Sequence, residues 1–240
     1  MPSLAADLPL RPGRDRPRLD NSEHLMRHEL VIFDCDGVLV DSEPTSNRIM
    51  AENLTRHGLP LTAEQSMELF VGCSMVGVKE RAISLGAELP EDWVEQVYSE
   101  EYACLRKGVP LVSGIPELLK RLDAAGISCC VASNGSQDKM RITLGQNGLW
   151  ERFHPNAMFS AHELGVSKPD PGLFQTAARQ FQVQARDCVV IEDSTSGVTA
   201  AIRAGMRCLG YATHDDGARL RELGAEVFHE MAEVPALLGL

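Results

Sequence analysis

The sequence predicts an α/β protein: a doubly wound parallel sheet with a small all-helical domain inserted after the first strand. Three observations predict it. Short, continuously apolar segments alternate with amphipathic ones, which is the pattern of a parallel sheet covered on both faces. One long stretch, 45–110, breaks that alternation and carries helical patterns alone. The first four apolar segments also lead into polar or charged residues, as strands do when they feed a shared crevice.

The elements follow in order. Residues 1–27 are rich in Pro and Arg and lack apolar periodicity, so a disordered leader is expected there. Asp7, Asp15 and Asp20 argue against an acid-poor targeting presequence, and Met26 is an alternative translation start. "ELVIF" (29–33) reads as the first buried strand. Helical segments "PTSNRIMAENLTRHG", "TAEQSMELFVG", "MVGVKERAISLG" and "PEDWVEQVYSEEYACLRKG" then fill 45–110, the expected cap domain. The chain should return near "GVPLVSGIPE" (108–117), where Gly and Pro mark a linker. The core domain is thus expected over 28–44 and 111–240.

Within that core, "PELLKRLDAAG" (116–126) reads as a helix closed by glycine. Strands are expected at "ISCCVAS" (127–133), "NAMFSA" (156–161), "DCVVIED" (187–193), "MRCLGYA" (206–212) and "AEVFHE" (225–230). "DPGLFQTAARQFQ" (170–182) and "SGVTAAIRAG" (196–205) supply helices between them.

Composition bounds the function. Of 240 residues 44% are hydrophobic, enough for a sizeable core. No run approaches the roughly 20 apolar residues that span a bilayer, so no membrane partner is expected. A net charge of -11 argues against nucleic acid, which needs a basic face. The seven cysteines are odd in number and form no CxxC pair, and no secretory signal is recognisable. They read as reduced, buried thiols of a cytoplasmic protein, and their spacing does not suit zinc. A monomer or weak dimer is expected.

The candidate site comes from the strand ends. Asp34 and Asp36 follow the first strand, sharing one side if the chain stays extended. Ser133, Asn134 and Gly135 follow the second, Lys168 lies on the loop beyond the third, and Glu192 and Asp193 end the fourth. Each feature alone reads as a turn, a helix cap or a solvated loop. Together, at four successive strand ends, they read as one site. Four carboxylates then face a single ammonium. Two like charges about 4 Å apart repel by about 4 kcal/mol at a protein-like dielectric, so the site calls for a cation. Its donors are hard oxygens, which favour Mg²⁺, and Mg²⁺ commonly bridges to phosphate. Lys168, the Ser133 hydroxyl and the backbone N–H groups of "SNGS" suit the remaining phosphate oxygens.

Four motifs, "DCDGVLVDSE", "VASNGS", "SKPDP" and "VIEDSTSGVTAAIRAGM", occur in that order. With them the chain resembles the haloacid dehalogenase superfamily over roughly residues 29–235. The resemblance is to the helical-cap branch of phosphatases and phosphosugar mutases, and within it to bacterial 6-phosphogluconate and sugar-phosphate phosphatases. It implies that Asp34 is the nucleophile, forming an aspartyl-phosphate. It implies that Asp36 is the general acid and then the base. Mg²⁺ would be held by Asp34, the backbone carbonyl of Asp36, and Asp193, with Glu192 ligating directly or through water. Ser133, Asn134 and Lys168 would stabilise the phosphoryl group. Dehalogenases of the family lack the second aspartate, and its P-type ATPases carry threonine there. Its mutases carry a histidine about a dozen residues after the nucleophile, where this chain has Ser46, and an arginine in a cap loop, where it has Cys73, Ser74 and Met75. The expected function is therefore Mg²⁺-dependent hydrolysis of a small phosphorylated metabolite, a sugar phosphate or sugar-acid phosphate. The alternatives are a phosphosugar mutase and a phosphate-binding protein without turnover. Lys79 or Arg81 reads as a contact for an anionic substrate tail or, more simply, as part of a solvated helix face.

Overall fold

The computed structural model describes residues 28–70, 73–213 and 215–240; the expected leader, 1–27, lies outside them. Six parallel strands form one sheet: β1 (Leu30–Phe33), β2 (Ser128–Ser133), β3 (Met158–Ser160), β4 (Cys188–Glu192), β5 (Arg207–Tyr211) and β6 (Glu226–Phe228). Their order is β3-β2-β1-β4-β5-β6. Phe33 at the end of β1 is in register with Val131 of β2 and Ile191 of β4. The chain therefore winds outward in both directions from β1, and the crevice between the two windings opens at its C-terminal end.

The middle of the sheet is apolar because both faces are covered. Val31 and Phe33 join Val131, Val189, Ile191 and Leu209 in one buried cluster. Leu30 and Ile32 point the other way, with Cys130, Ala132, Val190 and Cys208. The first cluster is closed by α5 (Ile115–Ala125), α6 (Gln137–Gly145), α7 (Trp150–Phe153) and α12 (Val234–Leu237). The second is closed by α8 (Ala161–Leu164), α9 (Gly172–Phe181), α10 (Thr195–Arg203) and α11 (Ala218–Glu222). All six expected strands are present. The short helices α6, α7, α8, α11 and α12 are additional to those legible in the sequence.

Between β1 and α5 the described residues form no further sheet strand. They fold into α1 (Glu43–Arg56), α2 (Ala63–Phe70), α3 (Met75–Ser84) and α4 (Trp93–Leu105). These helices have their own buried cluster, including Leu54, Phe70, Val78, Trp93 and Val97, separate from the two that flank the sheet. On α4 the buried residues Trp93, Val97, Glu101 and Leu105 recur every fourth position, one face of a helix. The outgoing and returning chains lie side by side. Val40 bridges Leu111, and the Val112 N–H donates to the Leu39 carbonyl at 3.0 Å.

All seven cysteines are free thiols, but the expectation that they are buried holds for four of them. Cys73, in the connection before α3, is exposed, and Cys104 on α4 and Cys129 on β2 are half-buried. Among the described residues no helix is long and apolar enough to cross a membrane.

Candidate active site

The ends of β2, β1 and β4 lie next to one another, so the residues that follow them meet. Asp34 continues the ladder by one step, its N–H donating to the Ile191 carbonyl at 3.0 Å. The chain does not stay extended after that. The Leu39 and Val40 N–H groups both donate to the Cys35 carbonyl, and the Gly37 N–H donates to the Val40 carbonyl at 2.8 Å. Gly37 adopts φ +77°, which a residue with a side chain seldom does. Asp36 thus sits in a tight loop, and the extended spacing expected for the aspartate pair is replaced by a turn. A side chain at Gly37 would also collide with the Asp193 carboxylate, so Asp193 packs directly against this turn.

Lys168 is the centre of the buried charges. Its Nζ lies 2.5 Å from both Asp34 Oδ1 and Glu192 Oε1. Its own loop is clamped by Asn134, whose Oδ1 accepts from the Lys168 N–H at 2.9 Å and whose Nδ2 donates to the Lys168 carbonyl. Both ends of the Asn134 amide are therefore committed to positioning Lys168. Glu192 is fully buried, and its Oε2 accepts from the Ser194 N–H and hydroxyl, each at 2.9 Å. Both of its oxygens are engaged inside the protein. Ser194 in turn caps α10 by accepting from the Gly197 N–H. Ser133 Oγ accepts from the Gly135 N–H at 3.0 Å, which leaves its proton to donate.

Asp36 has two neighbours that the sequence reading did not single out. Ser42 donates to Oδ1, and Lys139 Nζ lies 3.2 Å from Oδ2. Lys139 also lies 3.1 Å from Glu101 of α4, which accepts from the Ser46 hydroxyl of α1. Lys139 is in the first turn of α6, whose N-cap Ser136 accepts from the Lys139 N–H. The spacing of Met140, Thr143 and Leu144, all buried, is the signal that could have placed this helix and aimed Lys139 at Asp36.

Burial pushes the Asp34 carboxyl up to about 7, with Lys168 pulling against it and Glu192 adding to it. Asp193 is held well above the carboxylate range by burial, then by Glu192, Asp34 and Glu43. Burial pulls the Lys139 and Lys168 ammoniums down, but their carboxylate partners outweigh it and keep both firmly protonated. The acidic side chains around the crevice outnumber its two ammoniums, and a divalent cation fits that imbalance. Among the described residues no three His, Cys, Asp or Glu side chains converge as a protein-only metal site. Asp34 and Asp193 act on one another electrostatically, and carboxylate oxygens are the hard donors that Mg²⁺ takes alongside water and phosphate.

A cavity of about 320 Å³ leads from Asp36 into the four-helix layer. Asn134, Ser136, Lys139 and His162 line its sheet side, and Ser46, Asn47, Ser66, Tyr98, Glu101 and Tyr102 line its helical side. Lys79 and Arg81 are not among the lining residues, and Lys79 donates instead to the Glu91 carbonyl at 2.6 Å, as a solvated helix face would allow.

Comparison with known proteins agrees with this architecture. The profile of the family described as haloacid dehalogenase-like hydrolase matches residues 31–211. The chain is 30% identical over 216 residues to the 6-phosphogluconate phosphatase of Escherichia coli (strain K12), covering 89% of this chain and 96% of that one. It is 27% identical to hexitol phosphatase A of the same organism, covering 87% and 94%. Among solved structures, a haloacid dehalogenase-like protein from Agrobacterium tumefaciens superposes with a TM-score of 0.79 at 33% identity, covering 88% and 97%.

Proposed function

The chain belongs to the haloacid dehalogenase-like hydrolase family and is a phosphoric monoester hydrolase, and we propose that it is a Mg²⁺-dependent phosphatase of a small sugar or sugar-acid phosphate, acting through an aspartyl-phosphate. One observation carries the reading: Asp34 is held by Lys168, and Asp36, two residues on, lines the cavity that runs into the four-helix layer.

The residues divide the work. Asp34 attacks phosphorus through its free oxygen while Lys168 fixes the other. The ester P–O bond breaks, and Asp36 gives its proton to the leaving alkoxide. Asp36 then takes a proton from the water that attacks the aspartyl-phosphate, releasing phosphate and restoring Asp34. Ser42 and Lys139 orient Asp36 for both transfers. Lys168, the Ser133 hydroxyl and the N–H groups leading into α6 stabilise the phosphoryl oxygens. When bound to Asp34, Asp193 and the Asp36 carbonyl, Mg²⁺ supplies charge compensation for the transferring group. Glu192, whose oxygens are engaged by Lys168 and Ser194, serves to hold Lys168 rather than to ligate metal. The four helices over the site act as the cap domain. Ser46 lines the cavity where the mutase branch carries histidine, and its hydroxyl is spent on Glu101, which favours hydrolysis over phosphoryl return.

The test is turnover of p-nitrophenyl phosphate with and without Mg²⁺, for the wild type and Asp34→Asn. Metal-dependent release of phosphate is expected, with Asp34→Asn folded but inactive. Equal turnover by Asp34→Asn would remove it as the nucleophile, and no turnover by the wild type would sink the phosphatase reading.

A further inference from the structure

The cavity above Asp36 has a charge balance that bears on its occupant. Lys139 is the ammonium in its lining, and both its neighbours are carboxylates, Asp36 at 3.2 Å and Glu101 at 3.1 Å. Glu101 is itself only 7% exposed. The other basic lining residue, His162, is exposed on the sheet side. Among the described lining residues, then, no lysine or arginine is left to receive a second anionic group of a ligand. A carboxylate entering the helical side would instead meet Glu101.

The same lining is built for hydroxyls. Ser66 on α2 is 1% exposed, lies on the cavity, and its Oγ has no hydrogen-bond partner. A buried hydroxyl is seldom left unpaired, and a ligand hydroxyl would satisfy it. Asn47, Tyr98 and Tyr102 add polar atoms around it, while Met50 and Phe70 offer apolar surface for C–H faces.

We propose that the cavity takes the uncharged polyhydroxylated tail of a phosphorylated sugar alcohol or neutral sugar, and that Glu101 is the specificity-determining residue that turns phosphorylated sugar acids away. The proposal rests on the phosphatase reading above and chooses between its two substrate classes. Discrimination comes from a repulsive element, the Glu101 carboxylate, as well as from the hydroxyl partners.

The test compares sorbitol 6-phosphate with 6-phosphogluconate, which differ only in a terminal CH₂OH against a carboxylate, with p-nitrophenyl phosphate as reference. The full-length protein should favour sorbitol 6-phosphate in kcat/KM by at least about tenfold. Glu101→Gln should narrow that ratio by about tenfold, chiefly by lowering KM for 6-phosphogluconate. Ser66→Ala should raise KM for sorbitol 6-phosphate, with thermal midpoints confirming that both variants fold. Equal or better turnover of 6-phosphogluconate overturns the proposal. So does turnover of p-nitrophenyl phosphate with neither six-carbon substrate, or an unchanged ratio in Glu101→Gln. Failure on p-nitrophenyl phosphate is different: it removes the phosphatase reading itself, and this inference with it.

Discussion

The Lys168 ammonium serves two carboxylates from a position 6% exposed, beside a Glu192 that is fully buried. Such a group contributes twice, once by compensating Glu192 and once by fixing Asp34. The two contributions separate by mutation. Lys168→Met leaves Glu192 buried and unpaired, which should cost about 3–5 kcal/mol of stability. Adding Glu192→Gln removes the orphaned charge, and much of that loss should return. Turnover should stay down by at least about 10² in both, because the charge that meets the phosphoryl oxygens is gone in each. Denaturant unfolding and p-nitrophenyl phosphate kinetics read the two effects side by side. If the double variant regained activity along with stability, Lys168 would be a structural residue only. Glu192 and the two aspartates were legible in the sequence because they stand at the ends of apolar strands, and Lys168 because it lies on the loop beyond another, although α8 intervenes. Lys139 was not, since it meets Asp36 only through the turn of a helix, and Glu101 comes from a helix far away in the chain.

At the scale of elements, the strands were the most legible part. A strand covered on both faces must be apolar where it is covered; β1 is so throughout, and β2 and β4 are so apart from their polar end residues. Short helices such as α7 and α8, four residues each, carry too few turns to show a period. The four helices α1–α4 were legible for the converse reason, since their apolar residues recur at helical spacing. Their cluster is nonetheless small, and one buried polar pair organises it: the Trp93 indole N–H donates to Asn53 Oδ1 at 2.7 Å, joining α4 to α1. Trp93→Phe keeps an aromatic ring but strands the Asn53 oxygen in a buried place. It should cost about 1–3 kcal/mol from the lost bond, with a further loss from the smaller side chain. Hydrogen exchange of α1 and α4 should rise while the sheet amides stay protected. Loss of protection across the sheet as well would mean that the cap and the core unfold as one unit.

At the scale of the whole molecule, the net charge is -11, and part of that acid lies at the crevice between the two windings of the sheet. The fold brings Asp34, Glu192 and Asp193 together there, and Lys168 answers only part of their charge. A site that binds a cation in the native state alone stabilises that state by mass action, about 2.7 kcal/mol at a hundredfold excess over Kd. For a chain of this size that is roughly 5–10 °C in thermal midpoint. Mg²⁺ should therefore raise the midpoint of the wild type by about that much, with Na⁺ at matched ionic strength as the control. Asp193→Asn removes one half-buried carboxylate from the repelling set, so without Mg²⁺ it should melt no lower than the wild type. It should also lose most of the response to Mg²⁺, because a ligand has gone. A full Mg²⁺ response in Asp193→Asn would show that the cation binds elsewhere, and a wild type indifferent to Mg²⁺ would show that Lys168 compensates the carboxylates without a metal.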